Sequence, residues 1–490
     1  MDQIVWSFLA TAAIILFLSA ITAYRNAILT TSNFNRRRRS SSKLSSPAIP
    51  LGNLGILPFI GETIHFISCA YSDKPETFMD KRRLVYGKVF KSHLFGSPTI
   101  ISTDAEVSKI ILQSDASIFV PSYPKSLMEL MGKSSILLVN GSLHRRMHGL
   151  IGSFIKSPNL KAQITADMQK YVTASMDKWS EDSPVFIQDE AKHIGFQVLV
   201  KALISLEPSD EMEVLKKHFQ EFIAGLMSLP LNFPGTQLYR SLQAKKKMIQ
   251  VIHRIIQTKR ETKRNPARDV ADALVKDTNE YLTDDLIAEN IIDLMIPGED
   301  SVPVLITLAV KYLSDSPLAL KQLTEENMNL KKAKEKLGEP FYWNDYMTSL
   351  PFTRSVITET LRMGNIIIGV MRKAMKDVEI KGYHIPKGYC VLSYFRSVHL
   401  DDSLYESPYQ FNPWRWHDKD ISYCYNFTPF GGGQRLCPGL DMARLEASIF
   451  LHHLVTQFCR WEAEEDSIVN FPTVRMKRRM PIWVKRRRDT

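Results

Sequence analysis

The run Phe430-Gly-Gly-Gly-Gln-Arg-Leu-Cys-Pro-Gly439 says more about fold and chemistry than any other part of this chain. Its glycines allow a tight backbone turn beneath a flat ligand, Arg435 offers a cation, and Cys437 presents a sulfur just ahead of a helix. The helix is predicted from apolar residues at helical spacing, namely Ala443, Ala447, Phe450, Leu451, Leu454 and Phe458. Because the N-terminal dipole of a helix favours an ionised sulfur, the run predicts a thiolate ligand for iron.

The complete pattern Phe-x-x-Gly-x-Arg-x-Cys-x-Gly is satisfied by Phe430, Gly433, Arg435, Cys437 and Gly439. This pattern resembles the cysteine loop of the cytochrome P-450 superfamily. The resemblance implies haem b as cofactor, with Cys437 as its axial metal ligand and the rest of the loop around it. Thiolate donation favours cleavage of the O–O bond of dioxygen. The alternative is a flexible loop and one buried cysteine among five.

Composition favours one large haem domain, which we predict at residues 47–490. The 490-residue chain is 44% hydrophobic, enough for a large core. Its five cysteines form no Cys-x-x-Cys pair, which argues against a zinc site or a disulfide scaffold. Helical periodicity dominates, with short strand-like stretches at 89–95, 99–102, 378–380 and 389–394. We therefore predict a mainly α fold with small β-sheets, the cytochrome P-450 fold.

The N-terminus predicts a single-pass transmembrane anchor. Residues 4–23 carry no charge and, at about 1.5 Å per residue, are long enough to cross a hydrocarbon core of roughly 30 Å. A basic, Ser-rich linker follows at 24–46, so the positive-inside rule places the haem domain in the cytosol. A cleaved signal peptide is the alternative.

The net charge of +11 does not predict a nucleic-acid partner, because the basic residues form no array interleaved with aromatic ones. Dense basic runs lie near the two ends of the chain. A solvated face or anionic lipid headgroups account for most of this charge, and an acidic protein partner is the remaining interpretation.

A second chemical motif lies in a helix predicted from Thr283-Asp284-Asp285 to about Leu313. Pro297 and Pro303 each lack the N–H that a helix needs, so one or both turns should open. The P-450 pattern at this place is Ala/Gly-Gly-x-Asp/Glu-Thr-Thr, an acid and an alcohol that relay protons. Matched residue by residue, the resemblance implies Asp300 as the acid and Ser301 as the alcohol. The alternative is a kinked structural helix with a solvated acid.

Glu359 and Arg362 are three residues apart in the helical run Phe352 to Met363, so their side chains share one face. With Arg415 of Phe411-Asn-Pro-Trp-Arg-Trp416 they resemble the Glu-Arg-Arg triad of P-450s. Two guanidinium groups on one carboxylate form an orienting device, which we expect to fix the Cys437 loop.

The haem propionates require cations or donors, and by motif position the best candidates are Arg435 and Arg372. The family also uses a Trp-x-x-x-Arg on an earlier helix, where this chain has His144 and His148. An imidazole can still donate to a carboxylate, so both histidines are cofactor-binding candidates.

Four regions of the chain line the substrate pocket of P-450s. In this chain most residues of those regions are bulky and uncharged. The resemblance places these residues in it: Phe119, Val302, Ile366, Ile367, Ile368, Val370 and Val474. Such a lining suits a hydrophobic substrate.

From about residue 60 to 485 the chain resembles the plant P-450s of brassinosteroid metabolism, through stretches such as MIPGEDSVPVLITLAVKYLSDSP (295–317) and NPWRWHDKD (412–420). Within that group it most resembles the C-23 hydroxylases of 22-hydroxylated campestanol-type precursors. The resemblance implies a steroid monooxygenase of the endoplasmic reticulum membrane that uses dioxygen. No dinucleotide or flavin signature is present in the sequence, so the electrons must come from outside. The resemblance implies that NADPH supplies them through an external cytochrome P-450 reductase.

Three alternatives stay open. In the first, the enzyme hydroxylates C-22 or another side-chain position of a phytosterol or cholesterol-derived metabolite. In the second, the protein is a haem-thiolate isomerase or dehydratase, and the Asp300-Ser301 pair argues against this alternative. In the third, it is a non-catalytic haem or sterol-binding protein.

Overall fold

The computed structural model describes residues 47–55, 60–72, 74–262, 267–277, 282–417, 425–471 and 473–487. The helices in these ranges are α1 (Thr63–Ala70), α2 (Thr77–Tyr86), α3 (Ala105–Gln113), α4 (Lys125–Met131), α5 (Gly141–Ile155), α6 (Pro158–Met176), α7 (Ile187–Ile204), α8 (Asp210–Ile223), α9 (Gln237–Thr262), α10 (Val270–Val275), α11 (Asp284–Asp300), α12 (Val302–Ser314), α13 (Pro317–Leu337), α14 (Trp343–Met347), α15 (Pro351–Gly364), α16 (Phe395–His399) and α17 (Leu440–Gln457). Short 3-10 helices occur at Pro413–Trp416 and Gly433–Arg435.

The strands are short, and they contain fewer residues than the helices do. They are β1 (Val89–Leu94), β2 (Ser97–Ser102), β3 (Phe119–Pro121), β4 (Val185–Phe186), β5 (Gly369–Ala374), β6 (Val378–Ile380), β7 (Tyr383–Ile385), β8 (Cys390–Tyr394), β9 (Phe458–Ala463), β10 (Ile468–Val469), β11 (Arg475–Met476) and β12 (Pro481–Arg486). The predicted mainly α fold with small sheets is confirmed.

One compact unit comprises the described residues up to Pro124 together with Val370–Tyr394. It contains a five-stranded sheet in the order β1-β2-β8-β5-β3. β1 and β2 form an antiparallel hairpin, whereas β2 and β8 are parallel, with Ile100 opposite Val391. Buried aliphatic side chains of the sheet and of α3 pack into its core.

The second unit, Lys125–Gly369 with Phe395–Thr490, is the larger and is mostly helical. α12 is apolar on all sides and buried along most of its length, as expected for a central helix. α7 packs against α11 with two glycines at the crossing: a Cβ on Gly298 would lie 3.1 Å from the Gly195 carbonyl oxygen. This close approach fixes the end of α11 against α7.

The predicted long helix from Thr283 is interrupted where the two prolines predicted an opening. The Thr283 side chain caps α11 by accepting from the Leu286 amide at 3.2 Å, α11 ends at Asp300, and α12 begins at Val302. The last predicted helix ends one residue early, since Phe458 begins β9. In the described ranges no helix has the length and apolar character needed to cross a membrane. The predicted anchor at 4–23 and linker at 24–46 lie outside those ranges.

Candidate active site

The Cys437 loop closes on itself just before α17. The Cys437 amide donates to the Phe430 carbonyl oxygen at 3.1 Å. Gly431 and Gly433 have φ angles of +75° and +64°, which a residue with a side chain rarely adopts. The Gly439 amide hydrogen-bonds the thiol and lowers its pKa, although burial raises that pKa more strongly. The loop therefore holds one sulfur, aimed by backbone contacts, at the N-terminus of a long helix.

Arg435 ties the Cys437 loop to a segment that we call the strap, residues 134–140. Its guanidinium donates to the carbonyl oxygens of Ile136 at 3.3 Å and Leu137 at 3.4 Å, and to Asn140 Oδ1 at 2.8 Å. It also donates to the Val139 carbonyl. Arg435, which is predicted to bind a haem propionate, thus also holds the Cys437 loop against the strap.

His144 and His148 lie one turn apart on α5, with ring centroids 5.4 Å apart. His144 is buried. His148 Nε2 lies 2.8 Å from the Leu436 carbonyl oxygen. Because that oxygen only accepts, Nε2 carries the proton. His148 therefore contacts the residue next to Cys437, and its predicted role toward a propionate stays a prediction.

Glu359, Arg362 and Arg415 lie together, in the arrangement that the sequence predicted. Arg362 on α15 grips the fully buried Glu359 carboxylate in a fork, with Nε and Nη2 at 2.9 and 2.8 Å from the two oxygens. Arg415 Nε donates to Glu359 Oε1 at 2.9 Å. Arg362 Nη1 donates to the carbonyl oxygens of His399 and Pro408 at 2.8 and 2.7 Å. The carboxylate is thus the centre of a network that holds the described segment from His399 to Trp416 against α15.

Sequence reasoning missed two further donors to the same carboxylate. Trp416 Nε1 donates to Glu359 Oε2 at 2.8 Å, and the Asn412 amide donates to Oε1 at 3.1 Å. The indole also packs against Phe427, with ring centroids 4.9 Å apart. The signal was its place beside Arg415, but an indole in a sequence does not say what its N–H meets.

His399 is a second missed residue, and it links α15 directly to the start of the Cys437 loop. The Thr428 amide donates to His399 Nε2 at 3.0 Å, so Nε2 is unprotonated and Nδ1 carries the proton. Nδ1 therefore donates to Asn365 Oδ1 at 2.7 Å. Burial, then Arg362 and Arg396, lower the pKa of His399 to about 3, so the ring stays neutral. His399, in one fixed tautomer, therefore joins Asn365 to Thr428.

Asp300 and Ser301 lie at the break between α11 and α12. The Ser301 backbone has φ −109° and ψ −61°, and its amide donates to the Pro297 carbonyl oxygen at 3.1 Å. Burial raises the pKa of Asp300, while Lys192 on α7 opposes the shift and lies 3.7 Å from Oδ1. Lys192 also binds Glu299 Oε1 at 3.0 Å. A partly buried acid and a hydroxyl thus lie side by side where the helix opens, and the Lys192 ammonium group lies next to the acid.

Residues 50–478 match the family described as Cytochrome P450. This protein belongs to the cytochrome P450 family. It is 67% identical over 452 residues to the 3-epi-6-deoxocathasterone 23-monooxygenase CYP90D1 of Arabidopsis thaliana, with 91% of each chain covered. It is 53% identical to the 3-epi-6-deoxocathasterone 23-monooxygenase CYP90C1 of the same plant, over 89% of this chain and 84% of the other.

A solved structure supports the cytochrome P450 fold independently. The chain aligns with retinoic acid bound cyanobacterial CYP120A1 at a TM-score of 0.79 and 24% identity, covering 90% of this chain and 100% of that one. At this identity the likeness shows the fold alone.

The residues of the Cys437 loop fit the haem that the P450 family implies. Within the described ranges no group of three or more His, Cys, Asp and Glu side chains is arranged to hold a metal ion. An iron bound at Cys437 must therefore bring its other ligands with it, as a porphyrin does. Coordination to a metal removes the thiol proton, which offsets the effect of burial on the Cys437 pKa.

The remaining predicted P450 site residues divide between the two compact units. The smaller unit contains Phe119 on β3, with Val370 and Arg372 on β5; Arg372 is buried, with Nη1 3.5 Å from the Tyr123 hydroxyl. The larger unit contains Val302 at the start of α12, the stretch Ile366 to Ile368 after α15, and Val474 before β11. Val302 and Val474 are buried, whereas Ile367 is exposed. Their roles toward substrate and haem stay predictions.

Proposed function

We infer that this protein is a haem-thiolate monooxygenase that hydroxylates the side chain of a plant steroid. The substrate we propose is a 22-hydroxylated campestanol-type brassinosteroid precursor, and the carbon is C-23. The observation that carries this proposal is the 67% identity, over 91% of both chains, to an enzyme named a 23-monooxygenase. The mostly apolar predicted pocket residues agree with a sterol.

Haem bound through Cys437 would supply dioxygen activation, because thiolate donation favours O–O cleavage. One oxygen atom is inserted into a C–H bond of the sterol, and the other leaves as water with two protons and two electrons. Asp300, whose pKa is raised by burial, holds a proton nearer to neutral pH than an exposed aspartate does. Ser301 is the next residue, and its hydroxyl passes the proton of Asp300 onward. Glu359 and His399 keep the Cys437 loop in place.

We further propose that the electrons come from NADPH through a membrane-bound flavoprotein reductase. The exposed Arg145, on the same helix α5 as His148, agrees with docking of an acidic partner. Raising the ionic strength should then slow electron transfer, because it screens charges across the interface. A rate that is independent of salt would refute electrostatic docking.

For location, we propose a single-pass protein of the endoplasmic reticulum membrane with its haem domain in the cytosol. The uncharged segment 4–23 followed by the arginines at 36–39 supports this orientation. The sequons at Asn140 and Asn426 then stay unglycosylated. Asn426 is the informative one, since Asn140 Nδ2 already donates to the Leu138 carbonyl oxygen at 3.2 Å. A mobility shift after glycosidase treatment would contradict the orientation.

The deciding experiment is turnover of a sterol panel by the full chain with reductase and NADPH, followed by product structure determination. We expect 22-hydroxylated sterols to gain one oxygen at C-23 and their 22-deoxy counterparts to react poorly. A C-22 product, an isomerised product, or binding without turnover would each select one of the alternative functions.

Ser301 allows a test of the proton path within this function. Replacing Ser301 by alanine removes the hydroxyl, so reductant consumption should exceed product formation and peroxide should be released. Ser301→Thr keeps the hydroxyl and serves as the matched control. Full product yield per reductant in Ser301→Ala would remove Ser301 from the path.

A further inference from the structure

Asn290 is a fully buried amide on α11 that the proposed proton path does not use. Its Nδ2 donates to the Leu286 carbonyl oxygen of its own helix at 2.7 Å and to the Ser134 carbonyl oxygen at 3.0 Å. Its Oδ1 accepts from the Ile136 amide at 2.8 Å. A polar side chain in such a position is costly unless it is hydrogen-bonded. Asn290 meets this condition by binding the strap at two points.

The strap is folded tightly on itself, so that holding its start also places its end. The Ser135 carbonyl oxygen accepts from the amides of Leu138 at 2.9 Å and Val139 at 2.8 Å. The Ser135 hydroxyl accepts from the Leu137 amide at 3.2 Å, and Ser135 itself is fully buried. Overlapping turns thus close the backbone over residues 135–139. A displacement at Ile136 would therefore move the rest of the strap with it.

The backbone of Ile136 lies directly between Asn290 and Arg435. Its amide donates to Asn290 Oδ1 at 2.8 Å, and its carbonyl oxygen accepts from Arg435 Nη1 at 3.3 Å. The same guanidinium donates to three further acceptors of the strap. All four acceptors are uncharged, so they direct the guanidinium without neutralising it themselves. One residue thus connects α11 to the arginine two positions before Cys437.

We propose that Asn290 is a positioning residue for haem, because through the strap it sets where Arg435 presents its charge to a haem propionate. This inference rests on the haem binding of the proposed function and on the predicted role of Arg435. Asn290 acts through Arg435 and forms or breaks no bond. A guanidinium that is already held in place loses little further freedom when it binds a carboxylate, so binding is tighter. Loss of Asn290 leaves the Ile136 amide unpaired and loosens the support of Arg435.

The chain offers a closely matched control at Asn327 on α13. Asn327 is also fully buried, and its Nδ2 likewise donates to the carbonyl oxygen four residues earlier, at 2.8 Å. Its other contacts are Thr353 Oγ1 on α15 at 2.9 Å and His452 Nδ1 on α17 at 3.0 Å. Replacing either asparagine by leucine therefore removes similar buried hydrogen bonds from different surroundings. Only Asn290→Leu should loosen Arg435.

The first test measures how fast the haem-loaded full-chain variants release haem to an excess of apomyoglobin, followed by absorbance. Haem loss should be about fivefold faster or more in Asn290→Leu than in Asn327→Leu, because only the first weakens a hydrogen bond from a charged group to the propionate. Equal rates in the two variants would refute the role of Asn290. If the unaltered protein retains no haem, the proposed haem-thiolate function fails as well, so the two failures are distinguishable.

The second test asks whether Asn290 acts through Arg435. Arg435→Met removes the guanidinium, so adding Asn290→Leu to it should accelerate haem loss no further. Additive effects of the two substitutions would overturn the proposal.

Asn290→Asp is a milder change that serves if the leucine variant does not fold. It keeps the acceptor for the Ile136 amide but places a carboxylate oxygen against the Ser134 carbonyl oxygen, where Nδ2 now donates. It should release haem faster than the unaltered chain, and an unchanged rate would contradict the assignment of Asn290.

Discussion

Two tryptophans two residues apart allow the contribution of the Glu359 network to be measured. Trp416 is 7% exposed and donates to Glu359 Oε2 at 2.8 Å, whereas Trp414 is 41% exposed and donates to Gln322 Oε1 at the same distance. Replacing each by phenylalanine removes the same atoms from different surroundings. A buried hydrogen bond to a charged group contributes about 1.5–3 kcal/mol, and an exposed neutral one contributes less than about 1 kcal/mol.

We therefore expect Trp416→Phe to destabilise the segment around residues 412–416 by about 2 kcal/mol more than Trp414→Phe. Hydrogen exchange measured by mass spectrometry reads this directly, because the Asn412 amide donates to the same carboxylate. A difference of 2 kcal/mol corresponds to exchange about 30-fold faster in Trp416→Phe. Equal acceleration in both variants, or less than about threefold in Trp416→Phe, would show that the remaining donors to Glu359 suffice without the indole.

Three other changes test separate parts of the structure. His399→Phe leaves the Thr428 amide and the Asn365 side chain without their partner and should cost about 2–5 kcal/mol in urea unfolding. His399→Gln should cost less, and similar losses in the two variants would refute the bridge. Gly298→Val places a Cβ 2.9 Å from a leucine methyl of α7 and should cost about 1–3 kcal/mol, while the unobstructed Gly149→Ala should not destabilise. Burial raises the pKa of Glu446 to about 8, so the folded state binds its proton more tightly and stability should fall between about pH 4.5 and 8; Glu446→Gln should flatten that slope of the urea midpoint.

The parts of the site that were predictable from sequence depend on short-range rules. Glu359 and Arg362 share a helix face because of their three-residue spacing, and the structure shows their fork. The break at Ser301 follows from prolines that lack an N–H. In both cases the governing interaction spans at most one or two turns of helix. Such interactions can be read from spacing alone.

The parts that were missed depend on partners far away in the chain. His399 meets Asn365, 34 residues earlier, and Thr428, 29 residues later. Lys192 meets Glu299 across 107 residues because two glycines let α7 and α11 approach closely. A single histidine or lysine in a helical pattern gives no indication of such partners. Only the packing of the helices determines them.

The position of the Cys437 sulfur is determined by several independent anchors. His399 and Tyr405 hold the start of the segment at Thr428 and Asn426, the latter through a hydroxyl 3.0 Å from the Asn426 carbonyl oxygen. Arg435 and, through Leu436, His148 hold its end. None of these anchors is among the residues predicted to line the substrate pocket. Substitutions in the pocket can therefore change which sterol carbon is presented without moving the thiol, whereas loss of an anchor should affect every substrate alike.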